Sequence, residues 1–343
     1  MLNIGAVKNM NNPLVSVIMA NYNTNLEYLK EAIDSIYNQT YKNIEIIMID
    51  DGSNNEPEKI YNLYDNKFKV VYNKENLGVT KSRNISLEMV KGDYIFIMDS
   101  DDIAYPNIIE EQIKYFNNNP KVNVLGVGLE VFGDMQYIFI PKVYKPREKQ
   151  HVKYFFGNYG LQHPGTMLKK EFIEKFNIKY NERYKKALDY ELFAECSKYT
   201  SINIIEKPLM KYRRHKQQIS TGGRGEQDYY ANLIRLDKMQ TLIHECNEND
   251  KELHLKLCNN ELDIPIIELN KWVKKLIKSN RKKRIYKQDL FERELKNRCL
   301  NIYYYHYKNR NSKKALMFFL INMDSRKLKE TLNNKLLKIK SKS

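Results

Sequence analysis

Cysteine is scarce, with four in 343 residues. Cys196, Cys246, Cys258 and Cys299 are irregularly spaced, which excludes a disulfide framework as the organising device. His244, Cys246, His254 and Cys258 could form a zinc set on paper. Their spacing fits no common finger, and scattered packing residues are the better account. Long apolar runs are also missing. The start, Met1 to Lys8, lacks the unbroken apolar core of a signal peptide, and Ala315 to Ile321, the longest apolar stretch near the tail, is far too short to span a bilayer. The expectation is a cytoplasmic protein, soluble or peripheral on the inner face of the membrane. No glycine occurs from Asn21 to Asn25 after the first apolar run, so a Gly-rich triphosphate cradle is not expected there. There is no internal repeat and no long disordered linker.

Charge is present but uneven. The net charge is +16, yet residues 270–343 alone carry 23 Lys/Arg against 5 Asp/Glu. The basic character therefore belongs to the tail, and the front of the chain is nearly neutral. At this length the chain holds one catalytic-size domain plus an appendage.

The front alternates between two periods. Apolar runs at 14–19, 44–49, 69–72, 93–98 and 121–127 read as strands. Helical spacing follows them at 25–38, near 55–65, at 79–90 and at 106–117. Such alternation predicts an α/β, doubly wound Rossmann-like mixed sheet with right-handed crossovers. From 135 to 222 the pattern is mixed, with short strands near 137–140, 162–168 and 202–212 and a helix near 187–199. Beyond Gly222-Gly223 everything reads as helix, including an amphipathic one over 262–278. The expected domains are therefore residues 1–222 and a basic helical region, 223–343.

Two acidic turns stand about fifty residues apart, each directly after a buried-strand pattern: Asp50-Asp51-Gly52-Ser53 and Asp99-Ser100-Asp101-Asp102. Asp, Gly and Ser are ordinary turn residues, which explains either turn alone but poorly explains both. Carboxylates crowded at strand ends repel one another. A cation and a nucleotide would resolve that repulsion, since ligands of open α/β sheets bind at the strands' carboxyl edge.

The ordered set of Val17 to Asn23, Ser35 to Tyr41, Asp50 to Ser53, Asn76-Leu77-Gly78, Ser82-Arg83-Asn84, Asp99 to Asp102, Leu188 to Leu192 and Tyr212 to His215 resembles the family 2 inverting glycosyltransferases, over about residues 13–220. The resemblance implies a GT-A fold and a nucleotide-sugar donor, most simply UDP-linked. It also implies a hydroxyl acceptor on a glycan or lipid-linked oligosaccharide of surface polysaccharide synthesis. Metal dependence follows, with Mn²⁺ or Mg²⁺ held by Asp101, with Asp99 toward ribose or metal and His215 on phosphate or metal. Asp102 is either a second metal candidate or a helix N-terminal charge. Tyr22 would stack on the base and Asp51 would accept the uracil imide proton. Arg83 would approach the nucleotide or form a salt bridge supporting the acidic turns. Arg213 would meet the diphosphate from a loop that Gly222 and Gly223 allow to close, unless that loop is simply solvated. Asp189 matches the family's general base, with a helix cap as the competing role. The Glu that usually precedes it is replaced by Leu188. His163 lies in a weaker family segment near the acceptor and is expected to be structural.

The tail mixes Lys/Arg with Trp272, Leu276, Ile277, Tyr303, Tyr304, Tyr305, Phe318 and Phe319. An anionic membrane surface or an anionic acceptor glycan would suit it. Nucleic acid stands well behind, and a homo-oligomeric packing module remains open. Two readings compete for the whole chain: a sugar nucleotidyltransferase, and a non-enzymatic basic protein binding nucleic acid or glycan.

Overall fold

The computed structural model describes residues 12–215 and 224–310, with Lys313, Ala315 and Met317. These residues form two compact units. The first runs to Tyr154 and resumes over Asn158–Ile234, and the second comprises Phe155–Gly157 and the chain from Arg235 onward. The Gly222-Gly223 junction, Phe318 and Phe319 lie outside the described residues.

The first unit contains β1 (Val15–Asn21), α1 (Leu26–Tyr37), β2 (Ile44–Asp50), α2 (Glu58–Tyr61), β3 (Phe68–Tyr72), α3 (Val79–Met89), β4 (Tyr94–Asp99), β5 (Ile103–Ala104) and α4 (Ile108–Asn118). The chain continues with β6 (Val124–Gly133), β7 (Tyr137–Phe139), α5 (Arg147–Phe156), whose last two residues belong to the second unit, β8 (Thr166–Lys169), α6 (Lys170–Lys175), α7 (Leu188–Cys196) and β9 (Ile202–Arg214). Helix α8 (Arg224–Leu242) follows. Among the described residues the sheet has nine strands in the order β3-β2-β1-β4-β8-β6-β9-β5, with β7 paired to β6.

Strand β1 lies between β2 and β4, parallel to both. Every residue of β2 is buried, as expected for a parallel strand covered on both faces. The period of two sorts its side chains. Ile46 and Met48 join Val17, Met19 and Phe96 on the face covered by α1 and α4. Ile47 and Ile49 join Ile18, Ile95 and Ile97 on the face that carries α7. Each fully buried Ile contributes about 1.5–3 kcal/mol.

Register places the chemistry. Asn21 stands opposite Asp50 across β1 and β2, and Ala20 stands opposite Asp99 across β1 and β4. The three strands thus end level, and both acidic turns emerge at one rim. The sheet is mixed beyond β4, because β8 is antiparallel to β4 and to β6, whereas β6 and β9 run parallel.

Some elements differ from expectation. The helix near 55–65 is a single turn, α2, where Tyr61 is the one buried residue; little apolar area drives its propagation. Strand β8 begins at Thr166 instead of 162, because Pro164 has no N–H to give and Gly165 turns at φ 79°. Helices α5 and α6 and the two-residue β5 were not anticipated.

The second unit holds α9 (Glu248–Cys258), α10 (Ile266–Lys283) and α11 (Gln288–Arg310). Trp272, Leu276 and Tyr303 are core residues of this unit, whereas Tyr304 is exposed, so the basic-aromatic pattern is only partly turned inward. Lys271, Lys274, Lys278 and Arg281 are exposed on α10. His254 and Cys258 meet at 3.5 Å, and His254 packs on Trp272. Among the described residues no group of three or more His, Cys, Asp or Glu gathers as a metal site, and no helix is long and apolar enough to cross a membrane.

Candidate active site

At the end of β2 the paired acids diverge. Asp50 accepts from Asn21 Nδ2 at 2.9 Å, Tyr61 Oη at 2.7 Å and Ser53 N at 2.8 Å. Burial first, and then the bond to Asp50, holds the Tyr61 proton far more tightly than usual. Asp50 therefore anchors the turn. Asp51 accepts from Asn73 Nδ2 at 2.7 Å and Leu77 N at 2.9 Å on Oδ1, and from Gly78 N at 2.8 Å on Oδ2. It pins the Asn76-Leu77-Gly78 turn ahead of α3, where Gly78 takes φ 91°, a backbone that favours glycine. A carboxylate has about four lone-pair positions, so Oδ2 keeps an acceptor position beyond these three donors. Tyr22 follows β1 with half its surface exposed, 51%, leaving ring area for a stacked partner.

At the end of β4 the Asp99 carboxylate is bound by Arg83 Nη2, while Nη1 of the same guanidinium meets His163 Nδ1. The Arg83 guanidinium also lies 5.7 Å from the Tyr180 ring centroid. The salt-bridge alternative for Arg83 is thus the arrangement found. Burial, and next Arg83, drives the His163 proton affinity well below normal. The imidazole is neutral, and its Nδ1 accepts from Arg83. Burial raises the Asp99 carboxyl; Arg83 opposes this, and Asp101 and Asp189 add to it.

Asp101 and Asp102 take different roles. Asp101 Oδ2 lies 3.0 Å from His215 Nε2. Asp102 is fully buried, with Oδ1 accepting from Arg213 N at 2.8 Å and Oδ2 lacking a hydrogen-bond partner among the described residues. Burial, then Asp101 and Asp99, pushes its carboxyl well above the ordinary range.

Arg213 is clamped. Its guanidinium lies 4.1 Å from the Tyr28 ring centroid and 4.5 Å from that of Phe132. Nη2 binds Glu31, and Nε donates to the Asp101 carbonyl at 2.8 Å. These contacts fix the Asp101-Asp102 turn against β9, a positioning role that sequence reasoning missed.

Asp189 opens α7 directly after Leu188. Ala187, just before, takes φ 58°, a left-handed backbone costing an alanine roughly 1–2 kcal/mol; such strain clusters at functional sites. Asp189 Oδ2 accepts from Asn158 Nδ2 at 2.9 Å, and Oδ1 accepts from Tyr190 N at 2.8 Å. Burial raises its carboxyl above the usual range against the pull of Tyr190 N–H, Asn158 and Arg83. Asp99, Asp101, Arg83 and Asp189 thus form one electrostatic group. Asn158 belongs to no motif, and its role is visible only in three dimensions.

A mixed sheet with acids gathered at the rim of its parallel strands defines the GT-A class of fold. The S. aureus TarS 1–349 crystal structure in complex with UDP-GlcNAc shares this fold, with a TM-score of 0.57 at 18% identity over 90% of this chain and 88% of TarS 1–349. The glycosyl transferase family 2 model matches residues 16–177. An uncharacterized glycosyltransferase of Methanocaldococcus jannaschii is 39% identical over 70% of this chain and 84% of its own length. Another, from Haemophilus influenzae, is 33% identical over 68% of this chain and 76% of its own length. The chain belongs to glycosyltransferase family 2 and is a glycosyltransferase.

Proposed function

We propose that the enzyme is a metal-dependent inverting glycosyltransferase. It moves a sugar from a UDP-linked donor to a hydroxyl of a glycan or lipid-linked acceptor in surface polysaccharide synthesis. The observation that carries this reading is Asp189, held by Asn158 and Tyr190 N–H and electrostatically joined to Asp99 through Arg83. The TarS complexes with UDP-GlcNAc and with UDP support the donor class.

Asp189 takes the proton from the acceptor hydroxyl as that oxygen attacks the sugar from the face opposite the leaving diphosphate. Its raised proton affinity suits a base working near neutrality. Tyr22 offers a stacking face for the base, and Asp51 offers its spare acceptor position on Oδ2. The donor set fits Mn²⁺ or Mg²⁺: Asp101 Oδ2 and His215 Nε2 come within 3.0 Å, and one or two protein ligands suffice when phosphates and waters complete the shell. A bound ion would supply Lewis-acid neutralisation of the diphosphate charge. The exposed lysines of α10 are the proposed contact with an anionic membrane surface.

Replacing Asp101 with Ala tests the metal site. UDP should raise the melting temperature of the parent more with Mn²⁺ than without it, because a ligand that binds only the folded form stabilises it. Asp101→Ala should lose the Mn²⁺-dependent increment. An undiminished increment in the variant would remove Asp101 as ligand.

Asn158→Ala tests the base. The lost bond favoured the ionised carboxylate, so the Asp189 carboxyl should rise further. A group that must be deprotonated to act then fails at higher pH, and the acid limb of the rate–pH profile should move upward. An unmoved or lowered limb would contradict the assignment.

A further inference from the structure

Helix α1 reaches both members of the Asp101–His215 pair. Tyr28 stands in its first turn, where the Asn25 side chain caps the helix by accepting from Glu27 N at 2.8 Å and Tyr28 N at 3.4 Å. Leu29, Ala32, Ile33 and Ile36 bury the core face of α1, so the turn that carries Tyr28 is firmly seated. The Arg213 guanidinium lies 4.1 Å from the Tyr28 ring centroid, and the His215 ring lies 5.4 Å from it at 53°. Both separations are ordinary for attraction of a ring to a cation or to a second ring.

His215 needs such a contact for a topological reason. Strand β9 ends at Arg214, which pairs with Gly133 at the last rung of the β6–β9 ladder. His215 stands one residue past that rung, so side-chain contacts set where its imidazole points. Nε2 faces Asp101 Oδ2 at 3.0 Å while the Tyr28 ring lies against the imidazole. Asp101 is held from the same helix by a different route. Arg213 Nε donates to its carbonyl at 2.8 Å, and Nη2 binds Glu31, three residues on from Tyr28 and on the same helix face. Two ligands from distant parts of a chain bind one ion only if both are kept within its reach. Side chains that orient ligands commonly change metal affinity by about 10–100-fold.

We propose that Tyr28 is a positioning residue for the metal site: its ring sets where the His215 imidazole stands relative to the Asp101 carboxylate. The proposal rests on reading Asp101 and His215 as ligands of a divalent ion.

The test uses the full chain saturated with UDP and titrated with Mn²⁺, with binding read from loss of the free ion's paramagnetic resonance signal. Tyr28→Leu should bind Mn²⁺ about ten-fold more weakly than the parent, the lower end of what an orienting partner supplies. Tyr28→Phe should match the parent, because the ring and not the hydroxyl makes the contact. His215→Ala should also weaken binding, and adding Tyr28→Leu to it should cost nothing further, since no imidazole is left to place. Arg213 keeps Glu31, the Asp101 carbonyl and the Phe132 ring throughout. Parent-like Mn²⁺ binding by Tyr28→Leu overturns the proposal. So does a further loss of similar size when Tyr28→Leu is added to His215→Ala, which would make Tyr28 a general structural support. Should Tyr28→Leu fail to fold, Tyr28→Met takes its place in both comparisons. A parent that binds no Mn²⁺, or a His215→Ala variant that binds it as the parent does, strikes the metal reading and this proposal together. Binding that depends on His215 but not on Tyr28 strikes this proposal alone.

Discussion

Replacing Asp189 with Asn is expected to cut the transfer rate by about 10²–10⁴-fold, the range that a positioned general base supplies. The substitution keeps shape and removes basicity. An Asn carbonyl can take the place of Oδ1 and still accept from Tyr190 N–H, while its NH2 group gives up the bond from Asn158 Nδ2, so the start of α7 and the left-handed turn at Ala187 should persist. Asp189 has no part in the proposed UDP contacts, which lie with Tyr22, Asp51 and the Asp99–Asp101 turn. Transfer measured as product formed, beside UDP affinity by calorimetry, separates the two roles. Full transfer by Asp189→Asn would remove it as base. Loss of UDP affinity in step with transfer would make it a structural cap instead.

The parallel half of the fold was legible because β1, β2 and β4 are buried on both faces, and burial writes itself as a continuous apolar run. Asp50, Asp51 and Asp99 to Asp102 were visible as acids at strand ends for the same reason. What one strand's pattern cannot show is its neighbour. The antiparallel insertion of β8 between β4 and β6 depends on pairing across the sheet. Helix α5 was hidden differently. Pro146 is a start signal, but Arg147, Lys149, His151 and Lys153 obscure the apolar face formed by Val152, Phe155 and Phe156.

Within the site, residue type was easier to read than residue role. Arg213 was expected at the diphosphate because guanidinium suits phosphate oxygens, and Arg83 either at the nucleotide or in a salt bridge supporting the acidic turns. In the structure the Arg213 guanidinium meets Glu31, the Asp101 carbonyl and two ring faces. Tyr28 and Glu31 come from α1, far away in sequence, and no local pattern pairs them with Arg213. The same holds for Asn158. A single exposed Asn carries no periodicity, and it matters only because the fold brings it to Asp189.

Replacing Arg83 with Met should produce the largest stability loss of any single change at the rim. Arg83 is buried to 7% exposure. Its guanidinium serves the Asp99 carboxylate and His163 Nδ1 together, and Met fills similar volume while serving neither. Breaking a buried ion pair by removing one partner costs about 3–5 kcal/mol. Asp99 keeps some exposure, 30% of its side chain, which places the expected loss nearer to about 3 kcal/mol. For a unit of this size that is a fall in melting temperature of about 6–12 °C. Arg83→Lys should recover only part of it, since one ammonium cannot fork to two acceptors. The double variant Arg83→Met/Asp99→Asn should melt above Arg83→Met alone, because the stranded charge goes with its partner. Scanning calorimetry of the four proteins decides the matter. A double variant no more stable than Arg83→Met would mean that the loss comes from packing, and that the arginine does not hold Asp99 at the rim by charge.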